Sequence, residues 1–598
     1  MRETIDFLLH DWIGVESLLA RPRFAEHTRE TFASVLDTCE RIAREKFAPA
    51  NRIADTEEPR IEGGRVRLPR STHEALAAYV ESGMLAAPED HGMGGMQLPC
   101  TIEMAARAFF SKACGAIAGY AMLTAGNASL LMAHGTPAQR DVFARREYEG
   151  RWFGTMCLSE PQAGSSLSDV ATRAVPDGPD FEADPLGPRY RLTGNKMWIS
   201  GGEHELTENI VHLVLAKIPG PDGRPVPGTR GISLFIVPKM LVAPDGSLTG
   251  ERNDVSLAGL NHKLGNRGTT NCLLNFGERG GAVGWRVGAP GDGLRCMFHM
   301  MNEARIGVGL GAVMLGLAGY EASLDYARTR TQGRPVGTTG KDAARAPVRI
   351  VEHADVKRML LAQKAYVEGG LALELHCARL VDEQHTGDAG AARDASLLLE
   401  MLTPIAKSWP SEWCLEANSL AIQVLGGYGY TRDFPVEQYW RDNRLNMIHE
   451  GTHGIQALDL LGRKVVMDGG AGLKLLAGRI GATIERAGHV AGLAAPANAL
   501  AAALQALGAA ARAAWATGVP EEALANATPY LQAFGHVVVA WLWLDMALAV
   551  EERSDAFGLG KRAAMRYFFD YELPKVDAWL QVVSSRNPTC REMRDEWF

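Results

Sequence analysis

Residues 447–464 read MIHEGTHGIQALDLLGRK, and two chemistries compete for the five residues His449-Glu450-Gly451-Thr452-His453. Read as H-E-x-x-H, the run offers two histidines at i, i+4 with a glutamate between them, the zinc-peptidase arrangement. Read as an apolar approach, Leu445-Met447-Ile448, ending in Glu-Gly-Thr, it offers one carboxylate at a tight turn. Such a carboxylate is partly desolvated, which raises its pKa and strengthens it as a base. Zinc binding needs both histidines on one face of a continuous helix, and Gly451-Thr452 is poor helix interior. No recognisable downstream motif supplies a third ligand. No metal site is therefore expected, and the glutamate on these residues alone reads either as a lone base or as a surface helix-capping residue.

The rest of the chain supplies the context. From about Thr28 to Ala144 the pattern is helical, with Phe32, Leu36, Cys39, Ala43 and Phe47 on one face and Pro49 expected to close that segment. Near Gly150 the pattern changes to short apolar or alternating runs separated by Gly, Pro and Asp: WFGTMCLSE, YRLTGNKMWISG, HLVLAKI, GISLFIVPK and TTNCLLNFG. These predict the strands of a sheet or barrel. Helices return over 297–330, 354–384, 391–424 and 454–467, and an Ala-rich, then aromatic-rich remainder predicts a further helical bundle. The expected fold class is mainly α with a central β-domain. The expected domains are 1–150 (helical), 151–292 (β), 293–468 (helical bundle) and 469–598 (additional helices).

Four segments carry chemistry. MCLSEPQAGSSLSDV (156–170) runs from a strand into a loop rich in hydroxyls and open backbone N–H groups. NKMWISGGE (195–203) places a Trp before a hydroxyl residue at a strand end. Such a pair can stack on a ring and bond its edge, although a core position is the ordinary reading of an isolated Trp. YARTRTQGRP (326–335) clusters arginines at a helix end, where capping is the default and pyrophosphate binding the functional option. AIQVLGGYGYTRDFPVEQYWRDNRLNMIHEGTHGIQ (421–456) leads through two glycines to Glu450.

Bulk properties narrow the classes. The chain has 598 residues, 46% hydrophobic and 22% charged, and a net charge of -8, which gives no general attraction to nucleic acid or anionic membrane. Nine scattered cysteines contain no C-x-x-C pair, arguing against a zinc ribbon and a disulfide framework. The opening MRETIDFLLHDWIG does not read as a secretory signal. HVVVAWLWLDMALAV from His536 is short of a bilayer span and contains Asp545, so a buried helix is expected there. A cytoplasmic location without a membrane span is the expectation. Gly307-Val308-Gly309-Leu310-Gly311-Ala312 fits G-x-G-x-x-A, yet it falls within a predicted helix with no preceding strand. Helix-packing glycines are expected there rather than a dinucleotide turn.

In this order and spacing, the four segments together resemble the acyl-CoA dehydrogenase family, over about Thr28 to Val466. The length and extra C-terminal region are similar to a long bacterial subgroup of that family, which includes enzymes similar to 3-methylmercaptopropionyl-CoA dehydrogenase and others acting on fatty acyl-CoA. The resemblance implies a helical domain, a β-barrel or sheet domain and a helical bundle, here followed by a C-terminal helical appendix. It implies FAD as cofactor and an acyl-CoA as substrate, with Glu450 removing the α-proton while the flavin takes the β-hydrogen as hydride, giving a trans-2-enoyl-CoA. Met156, Leu158, Ser159, Gly164 and Ser165 match the loop around the isoalloxazine, Ser165 also lying near the acyl-CoA. Trp198 and Ser200 match the residues flanking the flavin ring, and Thr452 a further flavin contact. Arg330, Gln423 and Gly427 match positions reaching the ADP half of FAD on a neighbouring subunit, which implies a homo-oligomer, with a dimer favoured. Asn302, Arg305 and Gly451 match substrate contacts.

The sequence departs from the family pattern in three places: no aromatic follows Arg330-Thr331-Gln332, His449 stands where a Tyr is usual, and Gly454 replaces a common Gln. Electron-transfer flavoprotein is the expected acceptor. An acyl-CoA oxidase using oxygen, and a DNA-associated binding protein of the same fold, stay open as alternatives. The second needs a basic appendix, yet residues 471–598 hold 12 Lys or Arg against 13 Asp or Glu, so no nucleic-acid partner is expected.

Overall fold

The alternating runs after Gly150 form an eight-stranded sheet in a computed structural model that describes residues 1–337, 340–341 and 343–598. From one edge its strands are Val255–Leu260, Asn271–Phe276, Arg189–Ser200, Ala282–Val287, Ile232–Pro238, Asn209–Lys217 and Trp152–Cys157, with Arg173–Pro176 pairing to Arg189–Ser200 and Asn209–Lys217. The two-residue period of a strand decides which core each side chain joins. Val211, Leu213 and Leu215 pack with Leu130, Leu131 and Phe143 of the preceding helices. Val214 and Ala216 point the other way and join Tyr190, Leu192, Cys272 and Phe276. Both faces are covered, which is why Asn209–Lys217 and Ile232–Pro238 read as nearly continuous apolar runs.

The backbone divides into two compact units: Met1–Arg29, Cys100–Ala108 and Val308–Phe598 make one, and Glu30–Pro99 with Phe109–Gly307 makes the other. In the second, the predicted stripe of Phe32, Leu36, Cys39, Ala43 and Phe47 is buried. Phe47 and Phe110 meet edge to face with ring centroids 5.0 Å apart. Pro49 does not end the helical path. Arg29–Ile42 passes through a π-helical turn, Ala43–Phe47, into a second helix, Ala48–Thr56, whose first turn takes the proline. A first-turn residue needs no N–H for an intrahelical bond, so proline is accommodated there.

The first unit is helical. Ala354–Thr386 and Ala389–Leu425 form its central pair, followed by Ala471–Gly488, Ala494–Ala514, Ala527–Ala549, Ala556–Tyr567 and Lys575–Ser584. The predicted helix 454–467 is shorter than expected: regular α-helix covers His453–Asp459 and then widens into a π-turn, Leu460–Lys464. The apolar run from His536 is in the buried helix expected there, although that helix is longer than the run. It belongs to a helix of 23 residues, and among the described residues four helices are long and apolar enough to cross a membrane by length and composition. Its most apolar window is 83% buried inside the protein. Trp543 donates to the Ala365 carbonyl at 3.1 Å and Trp409 to His536 Nδ1 at 3.1 Å. Asp545, the residue that argued against a span, accepts from Trp12 at 2.8 Å and from Thr483 at 2.9 Å.

Gly309 shows why the G-x-G-x-x-A string sits in a helix. A Cβ at Gly309 would collide with the Ala406 carbonyl oxygen and the Glu374 carboxyl, so this glycine lets two helices approach closely, whereas Gly311 faces open space. Glu374 is fully buried, and neither carboxyl oxygen has a hydrogen-bond partner. Burial holds its pKa well above the ordinary value. Between the unfolded and folded pKa values the native state keeps a proton that the unfolded chain has released, so this group costs stability increasingly as pH rises through that window. Glu374→Gln is therefore expected to be stabilising, with a gain larger at about pH 8 than at about pH 5. Urea unfolding at both pH values measures it, and parallel pH profiles for parent and variant would contradict the assignment.

Candidate active site

The Glu450 segment leaves helical geometry where the glycine and threonine stand. Helix Val436–Asn443 and the tight turn Arg444–Met447 bring the chain to Ile448. Glu450 then adopts φ +55° and Gly451 φ +93°, and Thr452 becomes the N-cap of His453–Asp459. His449 and His453 consequently share no helical turn, which removes the geometric basis of the zinc reading. A glutamate in the left-handed region costs roughly 1–2 kcal/mol, so its surroundings must hold it there.

Two fully buried side chains do so. Gln456 donates to the Glu450 carbonyl at 3.0 Å, and Lys407, from helix Ala389–Leu425, donates to the Gly451 carbonyl at 2.6 Å. Gly451 must be glycine on two counts: its positive φ, and a Cβ there that would lie 2.5 Å from Gln456 Nε2. Thr452 makes no side-chain capping bond, leaving its hydroxyl uncommitted to the helix.

His449 ends a chain of amides. Asn418 and Asn443 are joined at 2.7 Å, Asn446 donates to Asn443 at 2.9 Å, and His449 Nε2 meets Asn446 Oδ1 at 3.0 Å. Because Asn446 already uses its NH₂ on Asn443, its oxygen faces the ring and His449 is the donor. Burial, aided by the charge of Lys407, pushes the His449 pKa down to about 3, so the ring is neutral. His453 is pushed down to about 4 by burial, then by Lys407 and Arg444; its ring nitrogens make no hydrogen bond.

The β-domain carries a second group of candidates. The register between Asn271–Phe276 and Arg189–Ser200 shifts between Cys272 and Leu274, opposite Met197-Trp198. This bulge turns Trp198 outward with φ +65° and leaves it 61% exposed, the reverse of the core position ordinary for an isolated Trp. Ser200 pairs with Asn271, whose amide donates to the Ser200 hydroxyl at 3.4 Å. Met156 and Leu158 are half-buried against the helix-facing core, Ser159 accepts from the Met197 amide at 3.0 Å, and Gly164 and Ser165 are exposed.

The order of this loop comes from two residues the sequence reading passed over. Lys196 and Glu160 form a buried ion pair at 2.9 Å. Lys196 also donates to the Leu158 carbonyl at 2.9 Å, while Glu160 accepts from the amides of Ala171 (2.7 Å) and Thr172 (3.0 Å). Burial alone would raise the Glu160 pKa; Lys196 and these donors outweigh it and hold the carboxyl below its ordinary value. Both residues lie inside the quoted segments, but their pairing across 36 positions has no local signal.

Arg330 and Gly427 come together on a groove of about 510 Å³, lined also by Tyr326, Gln332, Val424 and Tyr428. The Arg330 guanidinium lies 5.8 Å from the Tyr428 ring centroid. Gln423 is exposed nearby on the same helix but outside that lining. Where the family aromatic is absent, the loop is held by backbone: Gln332 donates to the Val348 carbonyl at 2.9 Å and its own carbonyl meets His353 Nε2 at 2.8 Å. On helix Gly293–Thr329, Asn302 is exposed and Arg305 is buried.

Comparison with known proteins shows which family the chain resembles along its length. A family profile described as acyl-CoA dehydrogenase, C-terminal domain, matches residues 291–465, and one described as acetyl-CoA dehydrogenase C-terminal like matches 476–594. The chain is 38% identical over 558 residues to 3-methylmercaptopropionyl-CoA dehydrogenase of Ruegeria pomeroyi, covering 91% of this chain and 89% of that protein. It is 32% identical to a broad-specificity linear acyl-CoA dehydrogenase of Mycobacterium tuberculosis, covering 99% and 98%. The fold is similar to that of an acyl-CoA dehydrogenase from Bacillus anthracis complexed with FAD, with a TM-score of 0.74, 19% identity and 97% and 91% coverage.

Proposed function

The chain belongs to the acyl-CoA dehydrogenase family, and from that premise we propose that Glu450 is the base that removes the α-proton of the acyl thioester. The enzyme is a FAD-dependent oxidoreductase that converts an acyl-CoA to the trans-2-enoyl-CoA. Bound FAD supplies the two-electron acceptor for the hydride leaving the β-carbon. The observation that carries the base assignment is the pinned left-handed turn, which places one carboxylate between an apolar approach and a helix N-terminus.

The other roles are those that membership of the family implies for the matching residues. Trp198, turned outward by the bulge, stacks on the flavin ring, and Ser200 bonds its edge. Met156, Leu158, Ser159, Gly164 and Ser165 line the ring, with Ser165 also meeting the acyl-CoA. Thr452 gives its free hydroxyl to the flavin. The Glu450 amide donates to the thioester carbonyl, stabilising the enolate-like charge as α-proton removal proceeds. Gly451 lets the substrate approach the backbone, and Asn302 and Arg305 orient its CoA portion.

Arg330, Gln423 and Gly427 receive the ADP half of FAD from a second copy of the chain. The open groove beside Arg330 and Gly427 supports this reading, and a homodimer follows from it. Electron-transfer flavoprotein is the proposed acceptor and fatty-acid oxidation the proposed setting. A cytoplasmic location is proposed from the nine scattered cysteines, which contain no C-x-x-C pair. The apolar helices are proposed to serve the interior of the bundle rather than a membrane.

The test is anaerobic. The protein as purified should be yellow, and a saturated acyl-CoA should bleach it without oxygen. A colourless protein, or FAD that no acyl-CoA in a chain-length panel reduces, would overturn the proposal.

A further inference from the structure

The two carbonyls that follow the base are held by side chains from different elements, and this goes beyond naming Glu450. Lys407 is fully buried on helix Ala389–Leu425, 44 positions before Gly451, and donates to its carbonyl at 2.6 Å. Gln456, equally buried on the following helix, donates to the Glu450 carbonyl at 3.0 Å. Each peptide unit is planar, so fixing one carbonyl fixes the plane that carries it. Together the two bonds set both planes flanking Gly451, and the 450–451 plane is the one that leaves the Glu450 Cα from which the carboxylate side chain projects. A left-handed pair of residues, φ +55° and +93°, has no local preference for this arrangement when the first is a glutamate.

The geometry points to Lys407 and Gln456 as positioning residues for the base, acting through the carbonyls of Gly451 and Glu450. The inference rests on Glu450 being that base. Lys407 serves the turn, not the binding of cofactor, so its removal should release the aim of the carboxylate and leave FAD in place.

Lys407→Met in the FAD-loaded enzyme is expected to slow anaerobic flavin reduction about 100-fold, the scale of a small misplacement of a reacting group. FAD content should be unchanged. Acyl-CoA affinity, measured in the non-reacting Glu450→Gln background with and without Lys407→Met, should change by less than about threefold, because the turn contributes aim more than binding. Gln456→Leu supplies the same test if Lys407→Met does not fold, and should also slow reduction without loss of FAD. Wild-type reduction rates in a folded Lys407→Met protein, or equal losses of rate and of acyl-CoA affinity, would overturn the inference. Rapid reduction in Glu450→Gln itself would instead overturn the base assignment, so the two failures are distinguishable.

Discussion

Glu450→Gln is expected to slow anaerobic flavin reduction by about 10²–10⁴-fold, the usual contribution of a positioned general base, while FAD stays bound. Glutamine has nearly the same shape and cannot accept the α-proton. The turn should survive the change, because the bonds that Lys407 and Gln456 donate go to main-chain carbonyls, which the substitution leaves in place. Left-handed φ is no harder for glutamine than for glutamate. Stopped-flow spectroscopy reads the rate, and the visible flavin spectrum before mixing reads cofactor content. A variant that loses its FAD would show that position 450 holds the cofactor site together, and a variant with full activity would place the base elsewhere.

Gly309→Ala is expected to destabilise the protein by about 1–3 kcal/mol or more, the range for overpacking a close-packed interior. The added methyl would meet the Ala406 backbone carbonyl, which cannot rotate away, and the buried Glu374 carboxyl. Moving the helices apart would disturb the same seam further along. A Cβ at Gly316 would lie 2.8 Å from Cys414 Cβ, and one at Gly319 would lie 2.6 Å from Asn418 Nδ2. Gly311→Ala is the matched control. Nothing lies within reach of its Cβ, so the better helix propensity of alanine should stabilise by about 0.8–1 kcal/mol. Opposite signs two residues apart are the expected result of denaturant titration, and equal effects would refute helix-packing as the role of Gly309.

Much of the fold was legible because long amphipathic or apolar runs carry their period on the surface of the sequence. The helix predicted over 354–384 is Ala354–Thr386, and the WFGTMCLSE run contains the strand Trp152–Cys157. Arg173–Pro176, only four residues long and ending in proline, had no such signal. Pro49 was read as a terminator because the π-turn before it cannot be seen in a one-dimensional pattern.

The candidate site was legible where one residue type suffices. Glu450 and Gly451 declared a turn, whereas the outward position of Trp198 ran against the core position ordinary for an isolated Trp. What remained hidden was the support. Lys196 pairs with Glu160 and Lys407 with Gly451 only because distant segments are packed together. The bulge that exposes Trp198 depends on pairing with residues some seventy positions later.

The central claim is that the carboxylate at position 450 takes the proton from C2 of an acyl-CoA. Solvent exchange reads that step directly. Saturated acyl-CoA incubated anaerobically with FAD-loaded enzyme in D₂O should be recovered with deuterium at C2, because proton removal and return pass through an exchangeable carboxyl. Glu450→Gln should recover the substrate unlabelled. Deuterium entering C2 at the wild-type rate in the Glu450→Gln enzyme would contradict the account.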